Sequence, residues 1–135
     1  MSQRVFMDSS FWILLRDEKE PDHRRVVEIA RGLLTSRKQL VITEMILAET
    51  HAYFSRSPAR SLQILDDFEN NRAIHCETAS SADVKSAIQL LRRNRDKAWS
   101  LCDAISFVVM RRLGIRTAAS MDHHFRQIGE FEIIC

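Results

Sequence analysis

Apolar and polar positions run along this chain in two rhythms. Short continuous apolar runs, such as Arg4-Val5-Phe6-Met7 and Leu40-Val41-Ile42, read as strands covered on both faces. Between them apolar residues recur every three or four positions, the spacing of a helix with one buried stripe. The first strand ends at Asp8-Ser9-Ser10, where Asp or Ser can cap a following helix. A helix is expected over 21–36, with Pro21 in its first turn and Val26, Val27, Ile29, Ala30, Leu33 and Leu34 as its stripe. After the strand at 40–42, Thr43 caps a helix running to about Ser55. A helix over 58–70 is expected to turn Leu62, Leu65 and Phe68 inward. The pattern then gives a strand at 73–76, a helix at 81–93 with Val84, Ile88 and Leu91 on one face, and a strongly apolar helix at 100–113. Gly114 is a natural stop for that last helix. A strand at 117–121, a short helix at 122–128 and a strand at 132–134 complete the chain. Strands alternating with helices predict an α/β fold, a parallel sheet with helices on both faces. In such sheets ligands bind beyond the carboxyl ends of the strands.

Composition narrows the class. At 135 residues the chain suits one domain over 1–135, and 45% hydrophobic with 28% charged residues suits a folded one. The net charge of +2 does not by itself announce a nucleic-acid partner. Cys76, Cys102 and Cys135 form no CxxC pair, so neither a zinc knuckle nor a disulfide framework is indicated. The start, MSQRVFMDSSFW, holds no apolar stretch of signal-peptide length, and no run approaches the roughly 18 residues of a membrane span. A soluble cytoplasmic protein is expected. No Gly-rich phosphate loop, Ser-His-Asp order or HExxH stands in the sequence, which removes support for NTPase, serine hydrolase and zinc protease readings.

Four acids stand where acids are unexpected. Asp8 and Asp122 each follow a strand directly, so both fall at the carboxyl edge of the sheet. Each also suits a helix cap, worth about 1 kcal/mol. Glu49 shares a helix face with Met45, Ile46, Ala52 and Tyr53, a face expected to point at the core. A buried carboxylate needs a cation, a metal or a proton. Neighbouring Glu44 lies in the first turn, where the helix dipole favours it. Asp103 leads the stripe of Phe107 and Met110, and with Ser100 it also fits a capping box. Two charges about 4 Å apart repel by roughly 4 kcal/mol at an effective dielectric near 20. A cluster of four therefore calls for a hard divalent cation with oxygen ligands, Mg²⁺ or Mn²⁺. Carboxylate-held Mg²⁺ also suits phosphodiester hydrolysis.

These residues resemble a PIN-domain nuclease, and within that family a toxin of the VapC type. The resemblance covers essentially the whole chain. Its carriers are Val5-Phe6-Met7-Asp8-Ser9-Ser10, Ile46-Leu47-Ala48-Glu49-Thr50, Trp99-Ser100-Leu101-Cys102-Asp103-Ala104-Ile105-Ser106-Phe107 and Ser120-Met121-Asp122-His123-His124-Phe125, in that order. It implies a three-layer α/β/α fold around a mainly parallel sheet. It implies an endoribonuclease using Mg²⁺ or Mn²⁺ held by Asp8, Glu49, Asp103 and Asp122, with Ser9 and Ser120 as supports. It also implies an RNA substrate, a small antitoxin partner and a homodimer. Where some members carry a further acid, two residues after the last one, this chain has His124, which bears on a second metal position.

Other readings stay open beside it. A housekeeping RNA-processing nuclease without antitoxin, or a degenerate binding module whose acids only cap helices, would share the fold. The basic run Arg92, Arg93, Arg95 and Lys97 reads as a solvated helix end or as an RNA-phosphate contact. Arg24-Arg25 and Arg111-Arg112 read as solvated faces, and Asp96, seven residues before Asp103, as an accessory acid or, better, as exposed loop. Trp12 and Trp99 could stack bases, but both read rather as anchors of the fold or of a dimer interface, with Trp12 the better interface residue. His123 and His124 could ligate a metal, but hard-cation sites prefer oxygen, so structural or phosphate-contact roles are expected.

Overall fold

A computed structural model describes residues 3–134. Five strands, β1 (Arg4–Met7), β2 (Gln39–Thr43), β3 (Ile74–Glu77), β4 (Thr117–Ala119) and β5 (Glu132–Ile134), form one parallel sheet. Their order is β3-β2-β1-β4-β5, as in a three-layer α/β/α architecture. Seven helices connect them among the described residues: α1 (Ser9–Arg16), α2 (His23–Thr35), α3 (Glu44–Tyr53), α4 (Pro58–Asn70), α5 (Ser81–Arg93), α6 (Leu101–Leu113) and α7 (His124–Gln127). None of them is long and apolar enough to cross a membrane.

The topology places the site. Chain from β1 steps outward through β2 to β3, then crosses back to β4 on the other side of β1 and on to β5. Right-handed crossovers put the helices of the two halves on opposite faces. The direction reverses between β1 and β4, and a crevice opens there at the carboxyl edge. Asp8 and Ser120 stand directly at that point, with Asp8 N–H donating to Ala119 O at 3.0 Å. Val5, Phe6 and Met7 of the central strand are fully covered, which is why its sequence runs apolar without alternation. Phe107 of α6 packs edge-on against both Trp99, 5.3 Å between ring centres, and Phe125, 5.0 Å.

Two helices, α4 and α5, face otherwise than their apolar stripes suggest. In α4 the buried residues are Ile64 and Asp67, while Leu62, Leu65 and Phe68 are exposed, Leu62 to 63%. In α5 the buried residues are Asp83, Ala87 and Leu90; Val84 and Leu91 are half-buried and Ile88 is exposed. The physical reason is the same in both: each helix turns inward an acid that meets an arginine. Asp67 receives a two-pronged Arg16 guanidinium at 2.7 and 2.6 Å and the Trp12 indole N–H at 3.0 Å. Trp12 is thus wholly buried in the fold, not at an interface. Asp83 receives Arg112 at 2.9 and 2.8 Å, and the same arginine reaches Glu77 at 3.0 Å. Arg111 pairs with Glu130, so Arg111 and Arg112 lie on an exposed face as expected, and both are ion-paired there.

The Asp83–Arg112 pair makes stability depend on pH. Arg112 holds the Asp83 carboxyl below its ordinary value of 3.8. The carboxylate is favoured in the fold, so the contribution is complete above pH 3.8 and disappears as pH falls through the lower folded value. Arg112→Ala should cost about 2 kcal/mol near neutral pH, because Asp83 stays buried without its partner. That loss should shrink on acidification, which urea unfolding at several pH values would read.

Gly114 closes α6 in the left-handed region at φ 69°, with Ile115 N–H returning to Met110 O at 2.9 Å. A Cβ there would meet no atom within 4 Å. Gly114→Ala should therefore cost only the backbone term, about 1 kcal/mol, with Gly114→Asn costing less. Melting curves of the two variants would order them.

Candidate active site

The four acids arrive from four elements at one edge. Asp8 ends β1 and caps α1; Glu49 lies in α3; Asp103 stands in the first turn of α6; Asp122 follows β4. Asp8 is 3% exposed. Its Oδ2 accepts from Ser10 Oγ at 2.6 Å, Ser120 Oγ at 3.0 Å and Ser10 N–H at 3.4 Å. Ser10 also holds the loop after β4, its Oγ accepting Met121 N–H at 2.9 Å. Ser120 Oγ accepts Asp122 N–H at 3.0 Å, so one hydroxyl touches two of the acids. Ser9 Oγ donates to Glu49 Oε1, and Cys102 Sγ lies 3.8 Å from that same oxygen.

Asp103 and Asp122 meet through a histidine. His124 Nδ1 is 2.9 Å from Asp103 Oδ2 and 3.3 Å from Asp122 Oδ1. Asp103 also completes the capping box with Ser100, Ser100 N–H donating at 3.0 Å. Asp122 Oδ1 receives His124 N–H at 2.9 Å. The capping readings of Asp8 and Asp103 are therefore correct and incomplete. Both carboxylates stabilise helix starts and still face the shared edge.

Glu49 reaches the cluster for a different reason from the one its sequence suggests. The face it shares with Met45, Ala52 and Tyr53 is exposed, and Ile46 and Thr50 are the residues α3 buries. Glu49 is held by Ser9 at the rim and not by burial in the core. Glu44, in the same first turn, accepts Ala79 N–H at 3.0 Å.

Carboxylates accumulate here, with the His124 imidazole between two of them. Burial pushes the Asp8 carboxyl up to about 6, and the charges of Asp103 and Asp122 push the same way against the Ser10 and Ser120 hydrogen bonds. Burial and the nearby Glu49, Asp8 and Asp103 likewise raise the Cys102 thiol, which keeps it protonated and unreactive. The donor set fits a hard divalent cation. It is rich in carboxylate oxygen, and all the described hydrogen bonds to Asp8 fall on Oδ2.

Ser10 and His124 are the linking residues that spacing alone does not expose. The signals were adjacency to Asp8 for Ser10 and a position two residues after Asp122 for His124. Trp99 is buried, its indole N–H donating to Gln127 at 3.0 Å, and so anchors the fold beside the α6 N-terminus. Arg92 and Arg93 are exposed in the last turn of α5, Arg95 and Asp96 are exposed in the loop leading to α6, and Lys97 pairs with Asp96. Cys135 lies outside the described residues.

A parallel sheet in this order, with carboxylates gathered at its switch point, defines the PIN domain, whose family model matches residues 5–131; the chain belongs to this family. Its similarity is closely drawn to one branch. The chain is 28% identical over 131 residues to VapC20 of Mycobacterium tuberculosis, a 23S rRNA-specific endonuclease, covering 96% of this chain and 97% of that protein. The crystal structure of that toxin superposes with a TM-score of 0.84 over 97% of this chain and 99% of that one, at 24% identity. A toxin-antitoxin complex from Klebsiella pneumoniae matches with a TM-score of 0.70 at 12% identity, over 97% of this chain and 96% of that one. VapBC2 from Rickettsia felis, bound to a promoter DNA fragment, gives 0.69 at 12%, with 97% of each chain covered.

Proposed function

We propose that this chain is one nuclease domain, a divalent-cation-dependent endoribonuclease that serves as the toxin of a toxin–antitoxin pair. The observation that carries the chemistry is Asp8: a carboxylate almost wholly buried near the carboxylates of Asp103 and Asp122 and hydrogen-bonded by Ser10 and Ser120. Asp8, Glu49, Asp103 and Asp122 would hold Mg²⁺ or Mn²⁺. When bound, the cation polarises the phosphodiester and eases ionisation of the attacking water. The chain's own groups then have distinct tasks. Ser10 and Ser120 hold the Asp8 carboxylate by one oxygen and leave the other free to ligate. Ser9 orients Glu49. His124 keeps Asp103 and Asp122 together.

The similarity to a 23S rRNA-specific endonuclease supports RNA as substrate and makes 23S rRNA the first target to try. The toxin–antitoxin complexes among the similar folds support a small antitoxin as partner. Exposed Met45, Tyr53, Leu62, Leu65 and Phe68 on α3 and α4 leave apolar surface for protein contact, in keeping with a homodimer. A cytoplasmic site of action accords with an rRNA substrate.

The test is incubation of purified ribosomes and total RNA with the protein in Mn²⁺ or in EDTA, followed by mapping of new 5′ ends. Discrete cuts that vanish in EDTA are expected. Equal cutting in both, or intact RNA in both, would remove the reading. Growth arrest on expression, relieved by a co-encoded small protein, separates the toxin from a housekeeping nuclease.

A further inference from the structure

The loop after β4 carries two histidines with different surroundings. The ligating atoms of Asp122, His123 and His124 all lie within 4.8 Å of one another. His123 is 73% exposed in its side chain, and the acid it approaches is Asp122, at 3.6 Å. His124 is 17% exposed, and its Nδ1 points between two carboxylates that belong to different elements. Phe125, the next residue, is fully buried against Phe6 and Phe107, so the backbone that carries His124 is fixed from one side.

The spacing of these atoms is that of hydrogen-bonded or ion-paired groups, and it also suits ligands of one ion. Two ligands at about 2.1 Å from an octahedral ion, at right angles, lie about 3 Å apart. The distances from Nδ1, 2.9 Å to Asp103 Oδ2 and 3.3 Å to Asp122 Oδ1, bracket that value. The imidazole thus stands where a ligand would stand, and its nitrogen is aimed at the place the two carboxylates share. Imidazole nitrogen favours first-row transition ions, whereas Mg²⁺ favours oxygen throughout.

We propose that His124 is a direct nitrogen ligand of the catalytic cation, shared with Asp103 and Asp122, and that it biases this site toward Mn²⁺ or another first-row transition ion over Mg²⁺. The inference rests on the cation-dependent reading above and specifies one of its ligands. With the ring proton on Nε2, His124 Nδ1 would offer its lone pair to the cation, and Asp8 would supply a carboxylate oxygen from the end of β1.

Pulsed electron paramagnetic resonance of the Mn²⁺-loaded protein reads this directly. The wild type should show ¹⁴N modulation from a bound imidazole. His124→Ala should lose it, and His123→Ala should keep it. In parallel, calorimetric titration should give a Mn²⁺-over-Mg²⁺ preference that falls by roughly tenfold or more in His124→Asp, where oxygen replaces nitrogen. Melting of each variant in EDTA controls for folding. Mn²⁺ bound by the wild type without ¹⁴N modulation, or with the same modulation in His124→Ala, overturns the ligand role and leaves the nuclease reading standing. No Mn²⁺ or Mg²⁺ binding at all overturns both.

Discussion

Asp8→Asn should abolish RNA cleavage while making the cation-free protein more stable. Asn keeps the size of the side chain and can still accept from Ser10 and Ser120. As a helix cap it is about as good as Asp. What it lacks is the charge. Loss of an outer partner of a metal ligand costs roughly 10–100-fold. Loss of a ligand itself should therefore cost at least about a hundredfold, near 2.7 kcal/mol of barrier. The stability change has the opposite sign. The Asp8 carboxyl is raised from 3.8 to about 6, so the charged form is disfavoured in the fold. Stability of the wild type in EDTA should fall as pH rises from the unfolded value toward the folded one, and stay lower above it. The Asn variant escapes that loss and should gain roughly 1–3 kcal/mol at neutral pH. Millimolar Mn²⁺ should stabilise the wild type and leave Asp8→Asn nearly unmoved. Cleavage rates and melting curves measured on the same preparations decide the matter. A variant that loses stability and keeps activity would return Asp8 to the role of a simple cap.

Trp12→Ala should be the most damaging single change in the fold, at about 3–5 kcal/mol. The side chain is wholly buried, and its indole N–H is one of three donors on the buried Asp67. Removal leaves a large cavity between α1 and α4 and one oxygen of Asp67 less well satisfied. Trp12→Phe separates the two effects. It keeps most of the packing and loses the donor, for a cost of about 1–2 kcal/mol. Urea unfolding of the two variants should show this ordering. A Trp12→Ala cost below that of Trp12→Phe would mean that α4 is not held through this residue.

The two central strands β1 and β2 were legible because they are covered on both faces and so read as apolar runs, whereas β3 and β5 are only partly covered. Gly114 was legible because a left-handed helix end leaves few choices of residue. The orientation of α3 and α4 was not. A stripe of Leu62, Leu65 and Phe68 says that one face is apolar, but not that this face is covered. What goes inward on α4 is Asp67, and its acceptability depends on Arg16 and Trp12, more than fifty positions earlier. Glu49 was chosen on an argument about an inward face that the fold reverses, yet it does meet Ser9 at the edge. Asp8, Asp103 and Asp122 were legible from their places relative to strands and helix starts. The links between them were not, because Ser10 to Met121 and His124 to Asp103 join residues 111 and 21 positions apart.

The central position of β1 has a consequence for synthesis. The ribosome makes Asp8 112 positions before Ser120, the residue whose hydroxyl steadies it. Until β4 emerges, one hydrogen-bonding edge of β1 has no neighbour and the carboxylate has no opposite wall. Contacts so distant in sequence close slowly, after the local helices. A nascent or prematurely ended chain therefore holds helices and half a sheet, but never the assembled cluster. At roughly 5–20 residues per second, Ser120 follows Asp8 by several seconds or more, and the acids can come together only after that interval.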